Sequence, residues 1–127
     1  MVLGIMSGTS LDGVDYALCE ISFHSVKLKQ TWSVTFPKDL KQRLYAAASD
    51  HLSSYAIAQL HHDLGRFYAQ KAPKVKFDFM GLHGQTIFHN PLARSMGATY
   101  QLGEPSYLAA RFNKPVINQF RTMDLAL

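Results

Sequence analysis

The sequence predicts an α/β fold: a mixed sheet, antiparallel at its start and parallel later, flanked by helices. Three observations lead there. Residues 1–36 hold three apolar or alternating runs separated by short polar turns, the pattern of hairpin-connected strands. Apolar positions three and four apart over residues 53–71 mark an amphipathic helix. Beyond it, short apolar runs alternate with one more helical stretch, as crossover units do. Right-handed crossovers are expected for the parallel part, and ligands gather at the carboxyl ends of such strands.

Each element has its own warrant. Val2 to Met6 is an apolar first strand and Val14 to Ser22 the second. Val26, Leu28, Trp32, Val34 and Phe36 alternate with mostly polar residues, so Val26–Phe36 is a half-buried third strand, interrupted at Gln30. Pro37 suits the first turn of a helix whose apolar face is Leu40, Leu44, Ala47 and Ala48. Ser53-Ser54 caps a longer helix carrying Ile57, Leu60, Leu64, Phe67 and a snorkelling Lys71, and Pro73 ends it. Phe77 to Leu82 suits a buried strand, and Thr99 to Leu102 a short one. Gly103-Glu104-Pro105 opens a helix running to about Phe112, and Pro115 to Phe120 is a final strand.

The chain has 127 residues, enough for one domain with a real core. Its 47% apolar and 17% charged residues fit a soluble globular protein, and no apolar run approaches the roughly 20 residues of a membrane span. No basic leader with a long apolar stretch opens the sequence, so a cytoplasmic location is expected. The single Cys19 cannot form an internal disulfide and reads as a small buried hydrophobe in mid-strand. The net charge is +4, but the basic residues are scattered, and the group Lys71, Lys74 and Lys76 falls near a helix C-terminus, where cations complement the dipole. No Lys/Arg run is interleaved with aromatics, so nucleic acid is not the expected partner; an anionic small molecule fits the charge as well.

Three clusters carry chemistry. The first is Gly4-Ile-Met-Ser-Gly-Thr-Ser-Leu-Asp-Gly-Val-Asp15, whose small and hydroxyl residues separate two strands. Such a loop brings backbone N–H groups and hydroxyls close to whatever it faces, and anionic oxygens are the natural partner. It is not a Walker-type loop, since no Lys occurs before Lys27 and a strand follows rather than a helix. Phosphate would then be held by a hairpin turn, with Asp12 and Asp15 placed to hold Mg²⁺ through waters. The competing reading is an ordinary hairpin turn with Asp12-Gly13 chosen for positive φ. The second cluster, His83-Gly-Gln-Thr86, offers a ring nitrogen, an amide and a hydroxyl at a strand end, which suits a polyhydroxylated or amide-bearing substrate or, alternatively, satisfies local backbone. The third is Arg121 with Asp124, either a bidentate anion clamp or a surface pair of little consequence. The other histidines make no metal set: His61 and His62 are adjacent on a helix, His24 and His51 read as surface, and His89-Asn90-Pro91 reads as a turn. No zinc spacing and no nucleophile elbow is present.

Taken together, Gly4–Asp15, Gly81-Leu-His-Gly-Gln-Thr86, Gln101-Leu-Gly-Glu104 and Phe120-Arg-Thr-Met-Asp124 resemble, in order and spacing, the anhydro-N-acetylmuramic acid kinases over essentially the whole chain. The resemblance implies the ribonuclease H-like domain of the actin/Hsp70/hexokinase-like ATPase superfamily. It implies ATP and Mg²⁺ as cofactors, and conversion of 1,6-anhydro-N-acetylmuramic acid to N-acetylmuramic acid 6-phosphate in peptidoglycan recycling. On that likeness Gly8, Thr9, Ser10, Leu11, Asp12, Gly13, Val14 and Asp15 bind ATP, with Asp12 and Asp15 on the metal side. His83, Gln85, Thr86, Arg121 and Asp124 are the substrate-side candidates. Residues 1–127 would form an incomplete N-terminal ATPase-type domain. The family's second domain, and its base Asp in a Gly-Pro-Gly-Asn-containing region, lie beyond Leu127. The partners implied are the anhydro amino sugar and, to complete the site, a second copy or another chain; little activity is expected of this chain alone, and an exposed apolar patch near the cleft is expected of it. Two alternatives stand beside this: another sugar kinase of the superfamily, and a non-catalytic nucleotide- or partner-binding module.

Overall fold

The computed structural model describes residues 1–90 and 97–127. β1 (Val2–Ser7), β2 (Gly13–Ser22) and β3 (Ser25–Thr35) form an antiparallel meander. Phe36 N donates to Asp12 O at 2.9 Å, so the chain leaves β3 beside the first loop before entering α1 (Lys38–Ala48). α2 (Ser54–Lys71) starts on Ser53, whose hydroxyl accepts from Ala56 N at 3.3 Å. β4 (Phe79–Asn90) then pairs parallel to β1, and β5 (Ala98–Leu102) pairs antiparallel to β4. After α3 (Ser106–Phe112), β6 (Val116–Ile117) adds parallel to β4, and α4 (Phe120–Ala126) follows. The strand order is β3-β2-β1-β4-β5, with β6 lying against β4. The sheet is mixed and starts antiparallel as expected, but it is not parallel throughout its later part: β4 joins β1 and β6 joins β4 in parallel, whereas β5 returns antiparallel along β4.

Several expectations need correction. β4 does not stop at Leu82, because residues from Gln85 to Asn90 find partners in β5. The segment His83–Thr86 therefore lies inside a strand rather than at its end. His89, also read as a turn residue, sits in β4 opposite Thr99; Pro91 lies outside the described residues. The final strand is two residues long instead of six. The edge of β4 that β6 uses at Met80 and Gly81 is taken by β5 from Gln85 onward, and the chain turns away at Gln119 (φ 66°) into α4. Arg121 and Asp124 consequently ride on a helix that periodicity did not announce. Cys19 is half-buried rather than buried.

One face of the sheet makes the core. Leu3, Ile5, Val14, Tyr16, Met80 and Leu82 meet Leu40 and Leu44 of α1, Leu60 and Leu64 of α2, and Leu108 of α3. Burying each such leucine contributes about 1.5–3 kcal/mol. The alternation of strand side chains puts Met6, Ile21, Val26, Leu28 and Ile117 on the opposite face, where all five are exposed. Phe120 of α4 lies over that face, where a Cβ built on Gly81 would be 3.6 Å from its ring. Three of the five, Ile21, Val26 and Leu28, lie at the β2–β3 turn end of the sheet, away from the Gly8–Asp15 loop, and so not near the cleft where an apolar patch was expected. Among the described residues no helix is long and apolar enough to cross a membrane.

Candidate active site

The loop between β1 and β2 is held by its own residues and by β4. Leu11 adopts φ 57°, a left-handed conformation that costs an L-residue about 1–2 kcal/mol. Its side chain is buried in the core, and that burial is of the size needed to offset the strain. Leu11 N also donates to Gly8 O at 3.2 Å. The positive φ that an ordinary hairpin turn would place at Asp12-Gly13 is absent from both residues; Gly13 is required for a different reason, since a Cβ there would lie 2.3 Å from Val34 O. The loop is thus anchored by an inward leucine and a close backbone approach, leaving Ser10 and Asp12 at the surface.

Beneath the loop, β1 and β4 bring Ser7 opposite Gln85. Gln85 is fully buried and donates from Nε2 to Gly8 O at 2.8 Å and to Thr86 O at 3.2 Å. Its Oε1 has no hydrogen-bond donor among the described residues. Ser7 Oγ shares a hydrogen bond of 2.8 Å with Tyr68 OH, and Tyr16 OH donates to Tyr68 O at 2.9 Å. Burial pushes both phenols well above their ordinary range, so each stays protonated. A polar layer of Ser7, Tyr16 and Tyr68 therefore ties α2 to the end of β1 directly under the loop.

Asp12 and Asp15 line a shallow cavity of about 200 Å³ with Gly8, Ser10, Ser33 and Thr35. The two carboxylates are differently engaged. Asp12 Oδ1 accepts from Lys41 Nζ of α1 at 2.5 Å, and that hydrogen bond and charge hold its carboxyl below the ordinary Asp range. Asp15 Oδ1 accepts from Ser33 Oγ at 2.5 Å. Among the described residues no group of three His, Cys, Asp or Glu could hold a metal. The donor set fits a cation that keeps most of its ligands as water or phosphate oxygen, as Mg²⁺ does, and does not fit an all-protein cage.

The substrate-side candidates divide. On the free edge of β4, β6 pairs with Met80 and Gly81 and β5 from Gln85 onward, leaving a gap at residues 82–84. A polar notch of about 180 Å³ opens there, lined by His83 and by Gln101, Glu104, Asn118 and Gln119, with His61 of α2 beneath. His83 Nε2 accepts from Arg121 Nε at 2.9 Å, so the second and third sequence clusters meet. Arg121 does not pair with Asp124, which is exposed on α4. Thr86 is buried, and its hydroxyl accepts from Gln101 Nε2 at 3.4 Å. His61 accepts at Nδ1 from Gly103 N at 3.0 Å and donates from Nε2 to Glu104 Oε2 at 3.2 Å. Glu104 in turn accepts from Ser106 Oγ and N at the start of α3, and the Ser106 hydroxyl bond is the main reason its carboxyl lies below the ordinary Glu range.

Sequence reasoning missed Lys41, Tyr68 and Gln101. Lys41 carries the cation that the loop itself lacks, but it stands 29 residues away from Asp12. Tyr68 reads as one more core position of α2, and only its hydroxyl distinguishes it. Gln101 does lie in one of the quoted motifs, where an alternating strand would have pointed it away from Leu102.

The family profile described as Anhydro-N-acetylmuramic acid kinase matches residues 1–127. An anhydro-N-acetylmuramic acid kinase of Bacillus cereus (strain Q1) is 37% identical over 141 aligned residues, covering 98% of this chain and 37% of that protein. One from Sulfurimonas denitrificans (strain ATCC 33889 / DSM 1251) is 37% identical over 134, covering 98% of this chain and 36% of that protein. The chain thus spans little more than a third of the length of the curated relatives it matches.

Proposed function

The chain belongs to the anhydro-N-acetylmuramic acid kinase family, and on that premise we propose that it is the phosphate-holding and sugar-reading part of the N-terminal domain of such a kinase. The family carries the actin/Hsp70/hexokinase-like fold, and the β1–β3 meander with β4 parallel to β1 supports a ribonuclease H-like domain. The observation that carries the reading is the loop Gly8–Asp15. It is rigidly anchored through Leu11 and Gln85, yet presents Ser10, Asp12 and Asp15 to an open cavity.

Mg-ATP would supply the phosphoryl group and the charge that offsets it. The residues of this chain bind and orient. Amides and hydroxyls of Gly8, Thr9 and Ser10 would receive the phosphates, with Leu11, Gly13 and Val14 fixing the loop's course. Asp12 and Asp15 are the residues that would hold Mg²⁺, through its waters. His83, Gln85, Thr86, Arg121 and Asp124 belong to the wall that reads the anhydro sugar, Gln85 through the backbone it holds and Thr86 through the Gln101 side chain. The product is N-acetylmuramic acid 6-phosphate, the setting is peptidoglycan recycling, and the compartment is the cytoplasm. Phosphoryl transfer needs groups from both sides of a cleft, so a second domain, in the same or another chain, completes the site.

Calorimetry with Mg-ATP on this chain and on Asp12→Ala tests the loop, with a coupled ADP-release assay alongside. Binding lost in the variant, with negligible turnover in either, is expected. Binding unchanged in Asp12→Ala reduces the loop to a hairpin turn, and brisk turnover by this chain alone refutes the need for a second domain.

A further inference from the structure

His83 occupies a bulge. The β1–β4 register passes from Ile5↔Leu82 to Met6↔Gly84 and leaves His83 without a partner. A bulge re-aims one side chain without ending the strand. Gly84 permits it: its φ is +76°, and a Cβ there would lie 2.7 Å from Leu102 O. The His83 ring is clamped on both sides, with Nδ1 2.9 Å from Gly84 O and Nε2 2.9 Å from Arg121 Nε. A carbonyl only accepts and a guanidinium only donates, so Nδ1 carries the hydrogen and Nε2 the lone pair. His61 holds the opposite tautomer, because a backbone N–H faces its Nδ1 and a carboxylate its Nε2. The pattern at His83 is therefore set by its own neighbours.

Arg121 spends only its Nε on His83. Its terminal nitrogens bond no other described residue, and they lie in the plane that the Nε contact orients. On the same helix the Phe120 ring lies over Gly81, where the lack of a side chain leaves it room. We infer that His83 is a positioning residue that holds Arg121 by its Nε edge, leaving the two Nη groups as a planar clamp for a carboxylate on the sugar substrate. This rests on the reading of α4 as part of the sugar-side wall. A guanidinium so held loses less freedom on binding than a free one, so the histidine acts on affinity without touching the ligand.

The test uses the labelled 127-residue chain. Two-bond imidazole ¹H–¹⁵N spectra at about pH 8, above the ordinary imidazole range, should show His83 as the Nδ1–H tautomer. Arg121→Gln should disturb that pattern. N-acetylmuramic acid should shift the signals of Arg121, and N-acetylglucosamine, which lacks the carboxylate-bearing ether, should not. His83→Phe, once its melting curve shows it folded, should weaken binding of the acid sugar about tenfold, the size of one charge-assisted hydrogen bond. His83→Gln should restore most of it, since Gln Oε1 can accept where Nε2 did. An Nε2–H tautomer in the parent, or a His83→Phe protein that binds as tightly as the parent, overturns the positioning role and leaves α4 on the substrate side. Arg121 signals in the parent that ignore the acid sugar overturn the substrate-side reading itself, and the role of the pair with it.

Discussion

Replacing Gln85 by Met separates anchoring of the loop from stability of the fold. Met is close in size, so no sizeable void forms. Two hydrogen bonds from Nε2 disappear, to Gly8 O and Thr86 O. At about 0.5–1.5 kcal/mol each, that is a loss of roughly 1–3 kcal/mol. The substitution also removes the buried Oε1 that has no donor among the described residues, a relief of about 1–3 kcal/mol. The two effects nearly cancel, so urea denaturation should place Gln85→Met within about 1 kcal/mol of the parent. Gln85→Ala loses the same bonds and adds a cavity, and should cost about 2–4 kcal/mol. The loop has no such compensation. Gly8 loses its tether to β4, and amide exchange through Gly8–Leu11 should quicken about fivefold for each 1 kcal/mol of tether removed. A Gln85→Met protein destabilised by well over 2 kcal/mol would show that Oε1 is satisfied. Unchanged exchange in the loop would show that Leu11 alone holds it.

Gly84→Ala forces a Cβ toward Leu102 O at positive φ and should cost about 2–4 kcal/mol by thermal or urea denaturation, with loss of the β4 bulge visible in backbone shifts. Tyr68→Phe leaves the buried Ser7 hydroxyl without its partner while the Tyr16 bond to Tyr68 O survives, for a loss of about 1–3 kcal/mol in the same assay. Glu104 has a carboxyl held below its ordinary 4.5, chiefly by the Ser106 hydroxyl. Its ionised form therefore stabilises the fold above that value, and the contribution is lost as pH falls through the lowered folded value. The stability gap between the parent and Glu104→Gln should be widest near neutrality and close on acidification; a gap that widens in acid contradicts the assignment.

The candidate segments could be picked out from the chain alone, though not their conformations or partners. The loop Gly8–Asp15 was legible as a turn of small residues between two apolar strands, a pattern that an ordinary hairpin shares. Its conformation was not: the positive φ expected at Asp12-Gly13 belongs to Leu11, and nothing in a hairpin pattern says that an apolar residue will turn inward at such an angle. His83 and Gln85 stood out as polar residues after an apolar run. That they continue the strand follows only from the presence of β5 beside them. Asp12 and Asp15 looked equivalent, and the structure gives one a lysine and the other a serine.

By itself the sequence determined the order of the first five elements, the serine cap of α2 and the prolines that flank the two long helices, the mixed character of the sheet and the family. These are properties of neighbours: alternation, three-and-four spacing, capping and turn chemistry all act within a few residues. Tertiary structure alone decided the length of β4, the shortness of β6, the helix that carries Arg121, and the pairs Lys41–Asp12, Gln85–Gly8 and Arg121–His83. Those pairs join residues 29, 77 and 38 positions apart. Each depends on how distant elements pack together, which is not a local property of the chain.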